Sequence, residues 1–250
     1  MKESLYNYSL RLGDTCLILS HRLAELCSNG PFLEEDIAMT NISLDLLGRA
    51  DLFLTYAGEL EGEGKTADDL AYRRNERQYY NHLIVERPNN DFAHVMMRQF
   101  FNDALLHPLF TKLKLSKDER FAAIAEKGVK ESAYHLRHSK EWIVRLSNGT
   151  EESKARIHNA LEELWTYTNE MFEWSEEEKQ LAKDGMIPSF DDLKNEWNDL
   201  VKETFNEAGL EIPQDKWMAT GGRQGIHSEY LGHMLGDMQY LPRAYPNDKW

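Results

Sequence analysis

The segment VKESAYHLRHSKEW, residues 129–142, places a glutamate on the apolar face of a long predicted helix. Glu131 follows Gly128 by three positions and precedes His135 by four, a spacing that keeps these residues on one helix face. A Glu-x-x-His motif on each of two helices is one way in which helical bundles bind two metal ions. Here Tyr134 stands third after the glutamate, and the histidine follows one residue later. The segment therefore predicts a helix of a bundle and raises the question of a metal site.

Helical periodicity dominates the rest of the chain, without a convincing alternating strand pattern. The four long core helices are predicted at about 4–28, 34–61, 91–115 and 118–147, and shorter or peripheral helices at about 66–81, 151–174, 176–184, 190–208 and 226–243. Breaks such as SNGP at 28–31 and SNGT at 147–150 contain the Gly and Pro residues that end helices. We therefore predict an all-α fold, organised as a single domain over residues 1–250 around one core.

The charge balance argues against binding to nucleic acid or to an anionic membrane. The chain carries 43 acidic and 29 basic residues, a formal net charge of −14, and such a surface would be repelled by both. The longest basic cluster, YRRNER at 72–77, is interrupted by Glu76 and is interpreted as a solvated helix face.

The sequence also predicts a protein of the reducing cytoplasm. No uninterrupted apolar run approaches the length of a membrane span, and the first residues do not have the pattern of a secretory signal. Cys16 and Cys27 would lie roughly 16 Å apart on one predicted helix, which is beyond the reach of a disulfide. We expect a cytoplasmic location and no membrane partner.

One acidic residue stands on the apolar face of each long helix. These four residues are Asp14, Asp45, Asp103 and Glu131. A single acid at such a position is more often an interfacial residue that a neighbour caps. Four acids on consecutive long helices are harder to explain in that way. Carboxylates that converge in a core lose hydration and repel one another, so they require a metal ion, protons or buried cations.

The order of these acids resembles the ferritin-like di-iron carboxylate pattern, in which a histidine follows two of the four acids by three positions. In this sequence those two positions hold Gly48 and Tyr134, so both histidines are absent. His135 could replace one of them as a ligand four positions after its acid. On the second helix that position holds Arg49, a permanent cation that would repel iron and could neutralise Asp45. We interpret the set as the positions of a vestigial di-iron site, with no metal expected.

Six segments extend the resemblance over nearly the whole chain. They are YSLRLGD (8–14), NISLDLLGRADLFL (41–54), RNERQ (74–78), KESAYHLRHS (130–139), RLSNGT (145–150) and TGGRQGIHSEYLGHMLGDMQYL (220–241). In their order and spacing they resemble the PaaC-type structural subunits of bacterial phenylacetyl-CoA epoxidases, which belong to the ferritin-like superfamily.

This resemblance implies a ferritin-like four-helix bundle core with additional peripheral helices, in a non-catalytic subunit that has no cofactor of its own. Such a subunit pairs with a paralogous catalytic subunit that holds a di-iron site and binds phenylacetyl-CoA. Other subunits complete the complex, and a reductase containing FAD and an iron–sulfur centre supplies electrons from NADPH. The complex converts the aromatic ring into a 1,2-epoxide during aerobic phenylacetate catabolism.

An alternative belongs to a different class of function, namely a ferritin-like di-iron or manganese oxidase that is active in its own right. Its candidate ligands are Asp14, Asp45, Asp103, Glu131 and His135. Metal analysis of the protein purified alone separates this enzyme from a structural subunit. Whether the chain associates with itself when it is alone is left open.

Two features near the C-terminus have alternative interpretations. His227, Glu229, His233 and Asp237 lie close together in sequence and could form a second metal site, although a solvated or partner-facing helix is the simpler interpretation. The segment ATGGRQG, residues 219–225, could bind a phosphate through its backbone N–H groups. Because it lacks the Walker lysine pattern, we interpret it as a flexible turn.

Overall fold

The computed structural model describes residues 1–214, 217–246 and 248, and within these residues it contains helices and no strand. The all-α prediction is therefore confirmed, and the helical architecture agrees with a ferritin-like fold. The α-helices are α1 Lys2–Ala24, α2 Leu33–Glu61, α3 Ala67–Tyr72, α4 Phe92–Leu113, α5 Glu119–Ser147, α6 Glu151–Trp165, α7 Glu176–Lys183, α8 Phe190–Ala208 and α9 Glu229–Ala244. Among the described residues, no helix is long and apolar enough to cross a bilayer.

The chain divides into two compact units, and each is described by itself. The first unit comprises Met1–Asn29, Leu33–Pro88 and Thr220–Trp250, and the second comprises Gly30–Phe32 and Asn89–Ala219. The first unit is thus built from both ends of the chain. The single domain expected over residues 1–250 stays a prediction.

The first unit is built on the antiparallel pair α1 and α2. Ser20 and Ser43 join the two helices by two bonds of 2.8 Å, because the hydroxyl of each donates to the backbone carbonyl of the other. Nearer the other end of the pair, a Cβ atom at Gly13 would lie only 2.8 Å from Leu54 Cδ2. The two helices therefore approach closely, since small residues line their contact.

The second unit has α4 at its centre, paired with α5. Side chains on nearly every side of α4 are buried, including the aromatic residues Phe100 and Phe101. Trp197 of α8 packs against Phe101 and donates its indole N–H to the Phe101 carbonyl at 3.0 Å. The helix continues through Pro108, at which a kink was expected.

Two predicted helices end earlier than the periodicity indicates. The helix predicted over 66–81 ends at Tyr72, because the side chain of Arg74 turns into the unit, and the chain continues as 3₁₀ turns at Glu76–Gln78 and Leu83–Glu86. The helix predicted over 151–174 ends at Trp165. There the Thr166 hydroxyl donates to the Trp217 carbonyl at 2.6 Å, so that tertiary hydrogen bonds replace helical ones.

Candidate functional site

The four inward acids differ in burial. Asp14 and Asp103 are 0% and 1% exposed, whereas Asp45 and Glu131 are half-buried. Full burial, expected for all four, is therefore found at only two of them. Asp45 lies beside the exposed Leu44, and its face of α2 reaches solvent. Asp14 and Asp45 belong to the first unit, and Asp103 and Glu131 belong to the second.

Asp14 of α1 forms a buried, bidentate ion pair with Arg74. Nη1 of the guanidinium lies 3.1 Å from Oδ2 of the carboxylate, and Nη2 donates to Oδ1. The backbone N–H of Tyr80 donates a third hydrogen bond to Asp14 at 2.9 Å. This arrangement satisfies the carboxylate with a protein cation and an N–H group, which is the condition under which a buried charge is tolerated.

Arg74 is fixed by its surroundings as well as by Asp14. Its side chain donates to the carbonyls of Leu70 and Gln78, and the guanidinium carbon lies 4.3 Å from the centre of the Tyr79 ring. Burial favours the neutral form, but the charge of Asp14 outweighs it and raises the pKa of Arg74. Burial also raises the pKa of Tyr79 to about 12, so this phenol stays neutral beside the ion pair.

The interpretation of YRRNER as a solvated helix face is wrong at Arg74, which is 8% exposed. The cation that neutralises Asp14 lies 60 residues away, beyond the end of α3, where helical periodicity gives no signal. Its only trace in the sequence is the segment RNERQ at 74–78. The other expected cation, Arg49, is also buried, and its pairing with Asp45 stays a prediction.

Asp103 of α4 is held by neutral donors within the second unit. Gln99 donates from Nε2 to Oδ1 at 2.8 Å, and the hydroxyl of Ser139 on α5 donates to Oδ2 at the same distance. His135 lies one turn before Ser139 and is fully buried, and its carbonyl also accepts from the Ser139 hydroxyl. Ser139 lies in KESAYHLRHS, but no spacing rule in the sequence relates it to Asp103.

The side chains at the expected positions do not fit a pair of iron ions. Gly48 is exposed and has no side chain, and Tyr134 is 40% exposed. Asp14, the first expected ligand, binds a guanidinium through both oxygens. Within residues 1–214, 217–246 and 248, no group of three or more His, Cys, Asp or Glu side chains is placed to hold a metal ion.

A second buried ionic cluster in the first unit was not recognised in the sequence. Glu86 accepts four hydrogen bonds, namely from His227 Nδ1 at 2.6 Å, Asn81 at 2.9 Å, and the backbone N–H and hydroxyl of Ser228 at 2.9 and 2.7 Å. Nε2 of His227 lies 2.8 Å from the Tyr79 carbonyl. Since both ring nitrogens face acceptors, the imidazole is a cation. Burial would lower the pKa of His227, but the bond to Glu86 and its charge raise it.

The two other C-terminal features are resolved by their surroundings. Glu229, His233 and Asp237 are exposed on α9, as expected for a solvated or partner-facing helix. The segment at 219–225 is largely buried, so its interpretation as a flexible turn is wrong. At Gly225, φ is +75° and an added Cβ atom would lie 2.3 Å from the Arg77 carbonyl oxygen, which requires glycine.

Comparison with known proteins gives one family and one curated relative. Residues 1–250 match the family described as "Phenylacetic acid catabolic protein". The chain is 47% identical over 248 residues to a component of the 1,2-phenylacetyl-CoA epoxidase of Escherichia coli (strain K12), namely the subunit that carries the letter C. That alignment covers 99% of this chain and 100% of the relative.

Proposed function

This chain belongs to the phenylacetic acid catabolic protein family, and from that membership we propose that it is a structural subunit of a 1,2-phenylacetyl-CoA epoxidase. The observation that carries the proposal is the 47% identity to the Escherichia coli epoxidase subunit over 99% of this chain. A likeness of this extent includes both units, and therefore the elements that carry Asp14 and Asp103. The chain serves phenylacetate catabolism as part of a complex.

The Asp14–Arg74 pair supports a structural rather than a catalytic role. In an oxygen-activating subunit the inward carboxylates are available to metal ions, whereas here a guanidinium takes both oxygens of Asp14. A buried ion pair of this kind also keeps the helices together, because loss of one partner costs about 3–5 kcal/mol. The acids are thus retained for stability, and the subunit supplies no cofactor of its own.

The proposed partners follow from the role of a subunit. A paralogous catalytic subunit holds the di-iron site and binds phenylacetyl-CoA. A reductase with FAD and an iron–sulfur centre delivers electrons from NADPH. The proposal locates this complex in the cytoplasm, which is consistent with the two free cysteines, Cys16 and Cys27.

Copurification of this chain with the paralogous catalytic subunit tests the proposal. We expect a stable complex in which iron remains with the catalytic subunit after the two proteins are separated. Epoxidation should require the catalytic subunit together with this chain. Iron or manganese bound near-stoichiometrically by this chain alone, and lost in Glu131→Ala, would instead support the independent oxidase.

A further inference from the structure

A ridge of exposed apolar side chains runs along the outer face of α2. The ridge consists of Leu33, Ile37, Leu44 and Leu47, with exposed fractions of 69%, 52%, 59% and 37%. Single exposed apolar residues are common, but four on one helix are typical of an interaction surface. The spacing and the charges of the ridge indicate which kind of partner it fits.

The spacing of the ridge matches the contact face of another helix. Leu33, Ile37, Leu44 and Leu47 are separated by four, seven and three positions, so they share one face of α2. At about 1.5 Å per residue, the ridge is roughly 21 Å long. Gly48 is exposed beside Leu47, and no atom lies within 4 Å of a Cβ atom added there. The gap at Gly48 gives room for a large side chain of a facing helix.

The charges around the ridge decide between a second copy and a different protein. The acids of α2 that are exposed or half-buried near the ridge are Glu34, Asp36, Asp45 and Asp51. The only basic residue of α2, Arg49, is buried. A two-fold contact between copies would set acids against acids, which opposes association. The ridge is therefore complementary to a helix that carries lysine or arginine beside its apolar residues.

We propose that the α2 ridge is the docking surface for a helix of the catalytic partner subunit. That helix presents apolar side chains at intervals of three and four residues, with basic side chains on either side. The inference rests on the proposed function, which supplies the partner. The ridge forms the apolar centre of the interface, and the acids around it steer the encounter.

Binding of the full chain to the purified catalytic subunit tests the ridge, with isothermal calorimetry as the measurement. Ile37→Glu and Leu44→Glu place charges at its centre, and each should raise the dissociation constant about 30-fold or more. Leu115→Glu is the matched control, because Leu115 is 78% exposed and lies outside α2. Circular dichroism melts of the three variants check that each is folded.

The charges are tested separately by Glu34→Lys and Asp51→Lys. Each should slow association several-fold in low salt and weaken its dependence on salt. Unchanged affinity in both ridge variants, with the wild type still bound, would overturn the inference and leave the proposed function intact. Ridge variants that abolish self-association but not the complex would overturn it in favour of a second copy. A wild-type chain that fails to bind the catalytic subunit would contradict the proposed function itself.

Discussion

At the scale of single residues, the sequence predicts which acids turn inward more readily than it predicts what neutralises them. Asp14 is recognisable because it follows Leu10 at helical spacing, and both residues are buried. Arg74 is not recognisable, because the chain leaves its helix two residues earlier and no periodicity relates the arginine to α1. A counterion in a non-helical segment depends on tertiary structure alone.

The Asp14–Arg74 pair yields a prediction with an internal control. Arg74→Met keeps much of the side-chain volume but leaves the carboxylate of Asp14 buried without its cation, so the free energy of unfolding should fall by about 3–5 kcal/mol. The neighbouring Arg73 pairs with Asp69 at 3.2 Å, but its side chain is 51% exposed. Arg73→Met should therefore cost at most about 1 kcal/mol. Urea unfolding monitored by circular dichroism measures both changes.

The double variant Asp14→Asn/Arg74→Met completes the experiment. Because it removes the uncompensated charge, it should recover part of the stability lost in Arg74→Met. Equal losses at Arg73 and Arg74 would show that the buried pair does not stabilise the first unit.

At the scale of helices, periodicity predicts the existence of each long element and fails at ends that tertiary contacts determine. α8 was predicted at 190–208 and is found at Phe190–Ala208, where Gly209 has φ of +68° and ends the helix locally. The predicted helix over 151–174 was too long, since the hydrogen bond from Thr166 to Trp217 joins residues 51 positions apart. Local signals such as a C-terminal glycine can be read from sequence, whereas such distant bonds cannot.

Two glycines of α2 give opposite predictions for the same substitution. Gly48 is exposed, and no atom lies within 4 Å of an added Cβ atom. Gly48→Ala should therefore raise the free energy of unfolding by about 0.5–1 kcal/mol, because glycine is a poor helix former. At Gly58 an added Cβ atom would lie 2.3 Å from the Lys65 carbonyl oxygen. Gly58→Ala should lower the stability by about 1–3 kcal/mol.

Thermal melts of the two single variants measure this difference. If both variants were stabilised, helix propensity alone would determine their stability, and the close approach of the Lys65 segment to α2 would have to be relaxed at little cost. The comparison thus separates a helix position that is free from one that the fold requires to be glycine.

At the scale of the whole chain, the first unit joins the two chain ends, although the second unit lies between them in the sequence. Residues up to Pro88 and from Thr220 onward fold together, with more than a hundred residues separating them along the chain. Periodicity predicts the helices of both ends but not their association. The residues that connect them, Glu86 and His227, lie outside the α-helices, so the sequence analysis identified His227 only as a candidate metal ligand.

The ion pair between Glu86 and His227 predicts how the stability of the molecule depends on pH. The pKa of His227 is raised above its ordinary value of 6.5, because Glu86 stabilises the cation more than burial destabilises it. A raised pKa in the folded state contributes stability that is complete below the unfolded pKa and is lost as the pH rises through the folded pKa. His227→Gln should therefore cost about 3 kcal/mol near pH 6, and the difference from the wild type should shrink as the pH rises. Urea unfolding from about pH 6 to pH 9 measures this difference; a cost that stays constant over that range would show that His227 acts through neutral hydrogen bonds, and not as the cation that holds the C-terminal segment to Glu86.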